Sequence, residues 1–392
     1  MAKGLTSREL NNEVLLAKDL KRLDALLQEE EVRNPQMLEK LGAVREWAKE
    51  KLQKSNIKLL LAKDEMEETA WHVAAKKGNM KVLQQLWDWA EDELNPEELS
   101  NKLLLAKDLR GKTAWIYAAE MGNTELLEKL WQWAEGEHMP RGLTNKLLLG
   151  TDKSKLTAFH VAAQRSETEV LQKLWKWATK KLKPEDLKHN LLLVKPFCGK
   201  TAWHNAAELG NTEVLEKLWE WSKEILRPDD LNSELLLAKD DNKQNILHFV
   251  VKSGDTDMLE KLWEWLKEHL KPEELKYKLL LAKDKCERTA WHLAAELGKT
   301  KILEKLWERA TQNLEKQELK HNLLLATNNE GKAASHLAKE GNNREVFQKL
   351  REWAVKLLST EELTPFDLDE DDMNWTVSDV DENTGNSEFV SE

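Results

Sequence analysis

Between residues 212 and 226, Val214, Leu215, Leu218, Trp219, Trp221, Ser222, Ile225 and Leu226 recur at three- and four-residue steps. That spacing gathers them on one broad face of an α-helix. Ahead of this stripe, "TAWIYAAEMG" and its counterparts leave about eight residues of helical pattern before a glycine, which predicts a short helix with a glycine stop. A polar turn such as "KDLRGK" comes first. Behind the stripe, "RPDDLNSELLLA" places Pro at a helix start with acids in the first turn, predicting a third short helix. Thr124, Thr168, Thr212, Thr256 and Thr300 are the expected N-caps of the long second helix.

The pattern is periodic. "LLLAKD" starts at Leu59 and returns, with variations, at Leu103, Leu147, Leu191, Leu235, Leu279 and Leu323, always 44 residues on. "TAWH" keeps the same interval at Thr69, Thr113, Thr157, Thr201 and Thr289, with Asn245 and Ala333 in the divergent copies. Residues 59–363 thus read as seven units, 1–58 as a degenerate N-terminal capping unit and 364–392 as an acidic, disordered tail. The expected fold is all-α, a helical repeat solenoid with short turn tips.

These residues resemble the ankyrin-repeat family across nearly the whole body. Its turn, Thr-Pro-Leu-His-x-Ala-Ala, glycine and second helix match "GKTAWHNAAELGNTEVLEKLW". The eight-residue first helix and the Thr-x-x-His signature argue against a HEAT or armadillo array. Ala70, Ala114, Ala202 and Ala290 replace the family's Pro, and Trp or Phe usually replaces its Leu. The unit is also longer, 44 residues against about 33, so the second helix continues into the added third piece. The resemblance implies that His72, His160, His204, His248, His292 and His336 hydrogen-bond the turn Thr and nearby backbone. It also implies that partners meet the turn tips and the exposed end of the first helix, on a concave face. Leu109, Arg110, Lys112, Met121, Leu156, Arg165, Phe197, Leu209 and Leu297 are the expected partner-binding residues. The large apolar ones stand where polar side chains would serve solubility, unless the added third helix covers some of them.

Candidate chemistry dissolves into the repeat. Gly-Lys-Thr at 111–113 and 199–201 lacks the earlier glycine of a phosphate loop, since Ala106 and Val194 stand there. One histidine per unit, spaced by helix packing, cannot converge on a metal. Cys198 and Cys286 are two periods apart, beyond disulfide reach, and neither has a base beside it for nucleophilic work. Most of the 18 Trp occupy framework positions. No catalytic, cofactor or metal site is expected, and the chain reads as a non-enzyme.

Charge adds one distinction. Of 71 Asp/Glu, ten lie in 364–392, where there is no Lys or Arg, which leaves 61 against 60 Lys/Arg in residues 1–363. The near-neutral body has no basic stripe for nucleic acid, and no apolar run reaches membrane length. No signal peptide is evident at the N-terminus, so a cytoplasmic or nuclear location is expected. The tail mixes acids with Phe366, Leu368, Trp375 and the candidate phospho-acceptors Thr376 and Ser378. The reading is a monomeric, non-catalytic scaffold binding another protein. The alternative is a transcriptional or signalling regulator whose tail contacts basic or coactivator surfaces.

Overall fold

The computed structural model describes residues 60–196 and 198–366. Helices dominate them, and no strand forms among the described residues. They fall into two compact units, one of residues 60–206 with 213–227 and the other of 207–212 with 228–366.

In the first unit, short helices Ala70–Lys76, Ala114–Glu120 and Ala158–Arg165 each precede a longer one: Met80–Glu93, Thr124–Ala134 and Thr168–Lys181. The second unit repeats the pairing with Ile246–Ser253 and Thr256–His269, Ala290–Glu296 and Thr300–Asn313, and Ala334–Glu340 and Arg344–Leu357. Two backbone positions with positive φ punctuate every copy, 44 residues apart. One precedes the first helix, at Glu67, Gly111, Lys155, Gly199, Lys243, Glu287 and Gly331. The other follows it, at Gly78, Gly122, Ser166, Gly210, Gly254, Gly298 and Asn342. Glycine is needed most at Gly111, where φ is +77° and a Cβ would stand 2.7 Å from the Lys153 nitrogen.

The capping of the long helices differs from expectation. Asn123, Glu167, Asp255 and Lys299 hold the N-cap positions, and the Thr that follows each is the first helical residue. Asn123 Oδ1 accepts from the Leu126 N–H at 2.9 Å, and Asp255 Oδ1 from Met258 at 2.9 Å. The threonines act between copies instead: Thr212 Oγ1 donates to Asp255 and Thr300 Oγ1 to Glu345, at 3.2 and 3.0 Å.

The third piece is also more specialised than a short α-helix. Pro96, Pro184 and Pro228 open α-helical turns as expected, and each turn then widens into a π-helical segment. Bonds from Leu105 N–H to Ser100 O and from Leu193 N–H to Lys188 O, both 2.9 Å, span five residues. Both Leu103 and Leu104 are buried there, although neighbours in sequence. One copy departs, with the α-helix Leu143–Leu149 following Gly142.

Indoles join successive copies. Trp71 of one short helix and Trp87 of the next long helix meet Trp133 from the following copy. Trp87 and Trp133 stack with ring centroids 4.6 Å apart and 9° from parallel. Trp115–Trp131–Trp177 and Trp291–Trp307–Trp353 repeat the trio, their stacked pairs at 4.7 Å, and Phe159–Trp175–Trp221 repeats it with Phe leading. The indole N–H groups of Trp71, Trp89, Trp115 and Trp291 are buried without a hydrogen-bond partner among the described residues.

The helical body also reaches further than its sequence boundary. Thr360–Phe366 forms a 3₁₀ helix against the last two helices, and Phe366 is buried. Phe366 is a core residue, not a free anchor of the tail. Leu368, Trp375, Thr376 and Ser378, like the capping unit at 1–58, lie outside the described residues.

Candidate functional site

Most turn tips are fixed by an aspartate, and the tip at 328–332 by Asn328. Asp108 Oδ1 accepts the Arg110 and Lys112 N–H groups at 2.9 and 2.7 Å, and Asp284 holds Cys286 and Arg288 in the same way at 2.8 Å. Such a carboxylate replaces hydrogen bonds that a short loop cannot make with itself. Successive tips then join by backbone: Leu109 N–H donates to Met66 O at 2.8 Å and Lys153 N–H to Arg110 O at 2.9 Å. In the second unit Lys285 donates to Asn242 and Asn329 to Cys286.

Behind each tip the Thr-x-x-His element closes the helix start. His72 Nδ1 accepts from Thr69 N–H at 3.2 Å, while Nε2–H donates 2.9 Å to Ala106 O in the next copy. His292 does the same with Thr289 and Ala326. These bonds need the neutral ring protonated on Nε2. Burial pushes the imidazole pKa of His72 and His292 down, and that of His160 down to about 4. Gly111-Lys112-Thr113 is equally committed: Thr113 Oγ1 accepts from Ile116 N–H, and Lys112 pairs with Glu120.

An ion-pair pattern crosses this face that the sequence reading missed. Glu68–Lys76, Lys112–Glu120, Arg288–Glu296 and Lys332–Glu340 each join the residue before the N-cap to the last residue of the short helix, eight positions on. Its signal was present in the sequence as opposite charges at that spacing. Arg165 reaches back to Glu120 at 2.7 Å. Burial works against the Glu120 charge, but the bonds from Lys112 and Arg165 prevail and hold its pKa below the usual range. Tyr117 adds a buried link, its hydroxyl 2.6 Å from Asp108 Oδ2 and 3.1 Å from Glu68 Oε1. Burial and then the Asp108 carboxylate push the phenol pKa well up.

The expected partner-binding residues separate on this frame. Leu109, Met121, Leu209 and Leu297 are exposed, by 40, 57, 52 and 45%. Arg110 is exposed, and its guanidinium has no ion-pair partner among the described residues. Arg165 is exposed but tied to Glu120, and Lys112 is largely covered by its own pairing. Leu156 is only half-buried, and Phe197 lies outside the described residues. Leu109, Arg110, Met121 and Arg165 belong to the first unit, Leu209 and Leu297 to the second. Sequence reasoning missed Met66, exposed at 38% and bonded through its backbone to Leu109. Cys198 and Cys286 are exposed, unbonded thiols.

No protein-family model matches this chain, and no curated protein matches it. Among the described residues, no helix is long and apolar enough to cross a membrane.

Proposed function

We propose that the chain is an ankyrin-like repeat solenoid acting as a non-catalytic scaffold, taking a protein partner on the face formed by its turn tips and short-helix ends. One observation carries the reading. Met121, Leu209 and Leu297 are all exposed, and all occupy one repeat position, the residue following the short helix, at 88-residue intervals. Arg165 and Ser253 fill that position between them, so the framework tolerates polar residues there. Large apolar side chains held in water at a position free to be polar support a role in association. Ion pairs and backbone bonds beneath them hold the face ready, which lowers the ordering cost of binding.

The test is a partner pull-down with the full chain and three variants, Met121→Ser, Leu209→Ser and Leu297→Ser. Loss of the captured protein in at least one variant, with melting unchanged, is the expected result. Capture indifferent to all three would move the interaction elsewhere.

A further inference from the structure

The tips of the first unit are chemically polarised. The first carries exposed Glu65 and Glu67, with Lys63 paired to Glu67 at 3.1 Å. Next come Met66 and Leu109, joined by their backbone bond. Beyond them, tips 107–111 and 151–155 expose Lys107, Arg110, Lys153 and Lys155. Their only acids, Asp108 and Asp152, are buried and turned inward onto backbone N–H groups. Lys107 donates to Thr151 O at 2.5 Å, while the side chains of Arg110, Lys153 and Lys155 have no partner among the described residues. The second unit differs. There the exposed tip cations Lys239, Lys243, Lys283 and Lys285 alternate with exposed Asp241, Glu287 and Glu330.

We propose that the first unit's tips bind an acidic peptide that carries an apolar anchor. This inference rests on the scaffold reading and names its partner class. The anchor sits on Met66 and Leu109, and the acids that follow it run over Arg110, Lys153 and Lys155. The order along the row sets the direction, because Glu65 repels a carboxylate on the other side of the apolar seam. A uniform polyanion fits poorly: nucleic acid gains from a continuous line of cations, and this line stops at two exposed methylene-rich side chains and a glutamate. The cations steer and orient the peptide, and the apolar pair supplies desolvated area.

The test pans a random peptide phage library on the full chain and measures the enriched peptides by fluorescence anisotropy. Expected is a consensus of one or two large apolar residues followed by Asp/Glu. Its affinity should fall roughly tenfold in Arg110→Glu/Lys153→Glu and severalfold in Met66→Ser/Leu109→Ser. Both variants should melt with the parent, because the bonds between tips are made by backbone atoms. A consensus without acids, or one indifferent to the charge reversal, overturns the proposal. So does heparin or a phosphatidylserine vesicle that competes fully and binds the Met66→Ser/Leu109→Ser chain as well as the parent. Enriched peptides sensitive only to Leu209→Ser or Leu297→Ser would overturn this inference and leave the scaffold reading standing. No enrichment together with no captured partner would remove both.

Discussion

The same seam is built in two ways within this chain. In the first unit, Trp131 stacks on Trp177 from the next copy at 4.7 Å and 7°, with Trp115 tilted against both. In the second unit, the positions equivalent to Trp115, Trp131 and Trp177 hold Leu247, Trp263 and Arg309. There the Arg309 guanidinium lies 5.9 Å from the Trp263 ring centre and also pairs with Glu260. The guanidinium is planar, like indole, and takes its place against the ring, but at 5.9 Å rather than the 4.7 Å of the indole stack. The energetics differ. An indole adds a large apolar area to the seam, whereas the guanidinium, although its side chain is only 14% exposed, must keep a charged partner there. The lesson is that the seam accepts two kinds of planar group at this position, and that its strength follows how apolar the group is.

The largest expected effect comes from the apolar seam. Trp115→Ala removes a side chain that is 1% exposed and should cost about 3–5 kcal/mol, read from denaturant unfolding. A loss below about 1 kcal/mol would mean that the trio is ornamental.

Acid sharpens the comparison beside the Phe-led trio, where Phe159 meets His160 edge-on at 5.9 Å. Burial holds the His160 pKa to about 4, below the usual 6.5 of an imidazole. The unfolded chain therefore binds more protons between those values. Its stabilising contribution is complete above about pH 6.5 and is lost as pH falls toward 4, by about 3 kcal/mol in all. A pH series of unfolding midpoints, with His160→Gln as reference, tests this. Parallel curves for the two proteins would contradict it.

At the Arg309 seam, truncation should cost less than at Trp115. Arg309→Ala loses one cation–π contact and a part-exposed ion pair, about 1–2 kcal/mol. Equal losses at the two seams would break the distinction drawn between them. The smallest effects concern helix starts. Asn123→Ala should cost about 1 kcal/mol, and Thr124→Ala a few tenths. The reverse order would restore the threonines as caps.

Much of the all-helical organisation was legible because it is periodic. A 3.6-residue stripe, a glycine after most of the short helices and a 44-residue interval are properties of consecutive residues. The N-caps were misread by one position because Asn123 and Thr124 are both good caps, and only backbone geometry chooses between them. Within the candidate surface, Leu109 and Met121 were legible as exposed apolar side chains, while Leu156 and Lys112 were not separable from them. The cover of Lys112 comes from Glu120, eight residues on. Met66 escaped notice because its neighbour Leu109 is 43 residues away in sequence.

What the sequence determined by itself is local: helix, turn and the glycine stop after most of the short helices. It also carried the interval at which they return, since a repeated sequence meets the same local physics each time. Which side chains face each other across copies was decided only by the tertiary structure. Trp87 finds Trp133 rather than its near neighbour Trp89, and Phe366 is drawn into the core from a stretch whose composition reads as solvent-loving. Such choices depend on apolar area that exists only once neighbouring copies have packed, and no window of consecutive residues contains it.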